Sequence, residues 1–133
     1  MRRFVFLFLL LVLSVGCLNN QVSPDGLKKE TETIHDEAMK SMAEMNRVGR
    51  QLKKELARPD SMGLRRDSVI QVLARMEKAE TEMMAWMTEY AEPDGMSEVE
   101  AIAYLQAQKA SIAKNYNDIK DALSEGSRLT KKQ

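Results

Sequence analysis

The chain has 133 residues, with 20 Lys and Arg against 20 Asp and Glu, one cysteine and one histidine. A zero formal charge removes the electrostatic argument for nucleic acid or an anionic bilayer surface. A lone cysteine excludes an internal disulfide, so packing alone must hold whatever fold forms.

The first element is a targeting segment. MRRFVFLFLLLVLSVGC places two arginines before an apolar or small-residue run from Phe4 to Gly16, then Cys17, which is a signal-peptide layout. That run is well short of the ~20 residues a spanning helix needs, so an uncleaved anchor is not expected. Leu13-Ser14-Val15-Gly16-Cys17 resembles the lipobox of bacterial lipoproteins. In those proteins the thiol receives a diacylglycerol and the chain is cut just before it. Ser14 and Gly16 suit a small peptidase pocket, although leucine commonly stands at the Ser14 position and here occupies Leu13. The other reading is a plain secretory signal with an incidental cysteine. The resemblance implies removal of residues 1–16 and lipidation of Cys17. Two or three acyl chains there would anchor the protein stably, each buried methylene contributing ~0.8 kcal/mol.

The mature chain would then begin at Cys17, with 18 basic and 20 acidic residues once Arg2 and Arg3 are gone. Residues 17–25, with Pro24 inside them, read as a short lipidated tether. Residues 26–133 read as one domain. Arg58-Pro59-Asp60-Ser61 and Glu92-Pro93-Asp94-Gly95 are breaks that end helices and make turns. They leave segments near 26–58, 61–91 and 97–127 with apolar residues at helical spacing.

In the first segment Leu27, Ile34, Ala38, Met45, Leu52 and Leu56 share a face with Gly49. In the second the face holds Met62, Val69, Val72, Leu73, Met76, Ala79, Met83, Met87 and Tyr90, with Met84 and Trp86 flanking it. In the third, Leu105, Ile112, Tyr116, Ile119 and Leu123 form the face, and Ser97-Glu98-Val99-Glu100 is a capping box that starts it. No alternating strand pattern occurs. The expected fold is all-α: three long, matched helices in an antiparallel up-down-up bundle.

The phenylalanines (Phe4, Phe6, Phe8) all lie in the signal, whereas nine of the ten methionines lie beyond it. Methionine fills irregular gaps and specifies packing loosely, so a pliable core or a groove that re-packs around a partner is expected. His35-Asp36-Glu37-x-Met39, Met83-Met84-x-Trp86-Met87 and Tyr104-Leu105-x-x-Gln108-Lys109-x-x-Ile112 resemble motifs of small helical lipoproteins of Bacteroidetes, some of them labelled "viral A-type inclusion protein". The resemblance implies a bacterial envelope protein and supplies no catalytic residues. Surface sorting in that group depends on acids soon after the cysteine. Leu18-Asn19-Asn20-Gln21-Val22 has none, which implies an outer-membrane protein facing the periplasm.

Two functional readings follow. The chain has no His-Glu-x-x-His, no phosphate loop and no singled-out carboxylate pair, so a non-enzymatic protein is expected. The first reading is a lipid-anchored interaction module whose methionine-rich face receives an envelope protein, another copy or a hydrophobic ligand. The alternative is a periplasmic carrier or buffer of Cu(I), a metal that takes imidazole and thioether ligands, through His35, Met39, Met42, Met83 and Met87. On a helix wheel Met39 lies ~40° to one side of His35 and Met42 ~20° to the other. A turn centred near 59.5 places position 35 opposite 84. A haem held by His35 and a methionine lacks the Cys-x-x-Cys-His signature, and core packing alone would account for most of the methionines.

Overall fold

A computed structural model describes residues 22–58 and 65–131. The signal segment, Cys17 and Met62 lie outside the described residues. Three helices follow one another: α1 (Pro24–Leu56), α2 (Arg66–Glu89) and α3 (Glu98–Thr130). They pack into an all-α bundle in which α2 runs antiparallel to both neighbours. Asn46 of α1 hydrogen-bonds Glu80 of α2, Asn115 of α3 hydrogen-bonds the Glu82 carbonyl, and Lys109 of α3 pairs with Glu30 of α1. None of the described helices is long and apolar enough to cross a membrane.

Each boundary has a local cause. Ser23 accepts the Gly26 N–H at 3.1 Å and Pro24 occupies the first turn, where its missing donor costs nothing because that amide would have no partner. The expected tether of residues 17–25 therefore gives up its last two residues, Pro24 and Asp25, to α1. At the other connection Gly95 has φ +77°, a left-handed turn that glycine adopts without a Cβ clash. The capping box forms as expected: Ser97 Oγ accepts from the Glu100 N–H, and Glu100 accepts from the Ser97 N–H at 2.9 Å. The Ser97 hydroxyl also donates to the Glu100 carboxylate at 2.6 Å, and this bond, with the one from the Ser97 amide, holds the Glu100 carboxyl below its usual range. The helices are not matched in length, since α2 has 24 residues against 33 in each of the others.

The buried positions follow a stricter rule than apolarity. In α2 they are Val69, Val72, Met76, Ala79, Met83 and Trp86, a continuous three-four alternation. In α3 the run Ile112, Asn115, Ile119, Ala122, Gly126 and Leu129 does the same. This is the heptad seam of helices wound around one another. It corrects two expectations. Trp86, expected on a flank, is 9% exposed, and Met87, expected at the centre, is 40% exposed. A step of three from Met83 stays on the seam, whereas a step of four leaves it. In α3, Tyr116 and Leu123 border the seam instead of filling it.

Small seam residues let the backbones approach. The Met76 thioether lies against Gly49 of α1, and a Cβ on Gly126 of α3 would stand 2.3 Å from the Met76 methyl and 3.1 Å from Val48. Gly49 has room, with Met76 Sδ at 3.4 Å from a Cβ built there. The same substitution should thus act with opposite sign at the two glycines. Gly49→Ala should stabilise the bundle by about 0.5–1 kcal/mol through helix propensity. Gly126→Ala should destabilise it by about 1 kcal/mol after the same gain, because overpacking costs about 1–3 kcal/mol. Denaturant melts of both, with a Met76→Leu/Gly126→Ala double variant that shrinks the second penalty, check this. Stabilisation by Gly126→Ala would contradict the close approach.

Candidate functional site

The end of the bundle where α1 begins and α2 ends carries a run of rings. His35 of α1 stacks with Trp86 of α2 at 5.9 Å between centroids and 30° between planes. Trp86 stacks with Tyr90 at 4.9 Å and 27°, and Tyr90 with Tyr104 of α3 at 6.5 Å and 25°. The four rings tie all three helices together. Seam spacing explains Trp86 and Tyr90, since the alternation 83–86–90 carries both inward. Such ring pairs contribute about 0.5–1.5 kcal/mol each beyond area burial.

Tyr104 also holds the connection between α2 and α3. Its hydroxyl donates to the Ala91 carbonyl at 2.9 Å and accepts the Ala91 N–H at 3.1 Å. One residue on, Glu92 pairs with Lys28 of α1 at 2.8 Å. The α2 terminus is thereby fastened to both other helices.

Two donors inside this array have no partner. Trp86 Nε1 and the Tyr90 hydroxyl are buried without a hydrogen bond among the described residues. Each such group costs about 1–3 kcal/mol relative to a satisfied one. Burial, then the nearby Glu92 carboxylate, push the Tyr90 hydroxyl above its ordinary range, so it remains a donor at neutral pH.

Beside the rings lies a cleft of ≈ 220 Å³ lined by Thr31, Glu32, His35, Trp86, Met87 and Tyr90. That volume is below the ~300 Å³ at which drug-sized pockets begin. It suits one inserted side chain or an ion, and it is too small for a haem. Met87 (40% exposed), Met84 (50%) and Met96 (43%) are all near this end. A larger concavity of ≈ 640 Å³ between α1 and α3, lined by Val22, Gly26, Glu30, Lys109 and Ala113 among others, is crossed by the Glu30–Lys109 ion pair.

The proposed soft-metal residues divide. His35 and Met87 share the cleft. Met39 is partly buried against the core, while Met42 and Met83 are core residues, 6% and 0% exposed. His35 Nδ1 stands 3.4 Å from Asp36 Oδ1. The expected pairing of position 35 with 84 is displaced by two residues, to Trp86. The cause is the length of the connection: the midpoint between Leu56 and Arg66 is 61, not 59.5. Among the described residues, no group of three or more His, Cys, Asp or Glu side chains could hold a metal ion. Helical spacing does not single out Tyr104 or Glu32: Tyr104 joins the rings, and Glu32 the cleft, only through the packing of α2 against α3 and α1.

No protein family, curated protein or solved structure matches the chain.

Tyr104→Phe keeps the ring and deletes both bonds to Ala91. It should cost about 1 kcal/mol in a denaturant melt and speed proteolytic cleavage within residues 91–96. Unchanged cleavage would mean that the connection is held without it.

Proposed function

We propose that the chain is a non-enzymatic, lipid-anchored protein of the bacterial envelope, held through acyl chains on Cys17 and facing the periplasm from the outer membrane. The bundle acts by binding an envelope protein or another copy of itself. The observation that carries the binding reading is the small aromatic cleft with exposed Met87 in its lining and Met84, also exposed, one turn earlier on α2. Methionine presents an adaptable apolar surface, and a cleft of this size seats one partner side chain. The signal layout and the lipobox resemblance support the anchor.

The placement of His35 and Met87 in one cleft favours a second reading, a Cu(I) site, in a narrowed form. Met42 and Met83 leave the ligand set because both fill the core. His35 and Met87 would be the ligands, with Met39 the nearest reserve on α1.

Anchoring is checked by Cys17→Ser, which should abolish fatty-acid labelling and leave a larger precursor. Wild-type protein that carries no label and fractionates as soluble would remove the anchor.

The binding readings separate on the emission of Trp86, the sole tryptophan. If the cleft holds Cu(I), one equivalent should bind under reducing conditions against a competing chelator and quench that emission. Affinity should fall on acidification, because only neutral imidazole is a ligand. Met87→Leu should weaken binding, and Met76→Leu should not. If the cleft is a protein interface, Cu(I) leaves the emission unchanged. A photo-crosslinking residue at position 87 then gives a discrete adduct in intact cells that one at position 120 does not.

A further inference from the structure

Charge is segregated along the bundle although it cancels over the chain. The end formed by residues 50–58, 65–67 and 125–131 carries eight Lys and Arg against three Asp and Glu. The opposite end, residues 22–30 and 89–100, carries seven Asp and Glu against two Lys. The first end is the one farther from Cys17, and at ~1.5 Å per residue the 33 residues of α1 separate the two ends by roughly 50 Å.

Pairing is segregated too. In the middle and lower bundle Lys28, Lys40, Arg47, Arg75, Lys78, Lys109 and Lys114 each hold a carboxylate, Lys120 lies over the Tyr116 ring, and Lys29 has no ion-pair partner among the described residues. At the far end Arg50, Lys53, Lys54, Arg128 and Lys131 are exposed, with no ion-pair partner among the described residues. Two other cations there are engaged by the helix ends. Arg65 donates to the Leu129 carbonyl, and Arg66 donates to the Leu56 carbonyl at 3.2 Å.

Helix dipoles do not explain the surplus. The C-termini of α1 and α3 each bring about −0.5 charge and the N-terminus of α2 about +0.5, so the ends sum to about −0.5. Arg65 and Arg66 already answer those carbonyls. Five cations remain with no ion-pair partner among the described residues, two of them guanidiniums, whose planar fork matches a carboxylate.

We propose that this distal basic end docks the carboxylate-bearing peptide–glycan polymer of the cell wall. Charge complementarity selects a polyanion. The polymer is selected by reach: the five residue steps from Cys17 to Val22 span at most ~18 Å, which keeps the acidic end near the anchoring bilayer and lets the basic end extend roughly 50 Å beyond it. That choice of polymer rests on the envelope reading. The charge pattern itself does not.

The test uses the full lipidated chain in neutral detergent, mixed with purified cell-wall sacculi and sedimented. Parallel arms use anionic phosphatidylglycerol vesicles and duplex DNA. Sacculi should carry the protein down at low salt and release it at high salt, because exposed charge pairs are screened. Lys53→Glu with Lys54→Glu and Arg128→Glu should weaken this about tenfold or more, while Lys29→Glu with Lys120→Glu should leave it unchanged. Circular dichroism monitors folding, and glutamine replaces glutamate if the reversed variant unfolds. Binding to sacculi that ignores the distal variant overturns the proposal, as does no binding. Tighter binding to vesicles or DNA than to sacculi assigns the surface to another polyanion and overturns it as well. Binding as expected by a chain that carries no acyl label would instead leave this surface standing and refute the anchor.

Discussion

The three helices meet at Met76. Its methyl occupies the space that a side chain at Gly126 of α3 would fill, and its sulfur lies in van der Waals contact with the Gly49 position of α1, so one flexible residue of α2 sets how closely the other two helices can lie. Close approach there lets the neighbouring seam residues Val48, Val72 and Ala122 become buried to within a few per cent. Methionine suits this role because an unbranched chain can thread a narrow gap that a β-branched residue would block. Leucine could keep the apolar character but would shorten the reach.

With that node in place the aromatic end of the bundle follows. The rings at His35, Trp86, Tyr90 and Tyr104 lie about ten residues farther along α2 and form a second node that again takes a residue from every helix. Two nodes on three rods fix relative rotation and register together, and Asn115 sits between them. It is buried, and its amide donates to the Glu82 carbonyl of α2 at 3.2 Å. A polar seam residue satisfied in only one alignment discriminates against slipped alternatives. The nodes differ in character. The first is apolar and tightly filled, whereas the second contains two unpartnered donors and opens into a cleft.

The fold was largely legible in the sequence because proline and glycine breaks are local signals and helical periodicity is a strong one. The exact faces were less legible. Choosing apolar residues favours Met87, Tyr116 and Leu123 and passes over Thr31, Asn115 and Gly126, which are all buried. A seam in a three-helix bundle needs small residues where backbones are close, and Thr31 is tolerated inside because its hydroxyl donates to the Leu27 carbonyl at 2.8 Å. The candidate cleft was half legible. His35 and the 83–87 turn do meet at one level, yet which methionine faces the cleft depends on a single helical step, from Met83 to Trp86 or to Met87. Charge segregation was invisible, since a neutral total hides any arrangement of equal and opposite ends.

That segregation follows from chain count. In a three-helix bundle α1 and α3 run the same way, and one antiparallel partner cannot cancel both dipoles, so an odd bundle keeps a net dipole. Acids gather at the two helix N-termini, as Asp25, Glu98 and Glu100 do in their first turns, and bases at the two C-termini, as Lys53, Lys54 and Arg128 do in their last. Each such placement is favourable by about 0.3–1 kcal/mol within the terminal turn. The topology thus biases the sequence toward a molecule with one acidic and one basic end before any function acts on it. What the dipole cannot produce is the excess of distal cations over the charge it presents, or the shortage of carboxylates among the described residues around them. Stability alone would favour pairing those cations, as happens at most lysines and arginines along the rest of the bundle. Cations there that have no ion-pair partner among the described residues keep their field available to something outside the molecule.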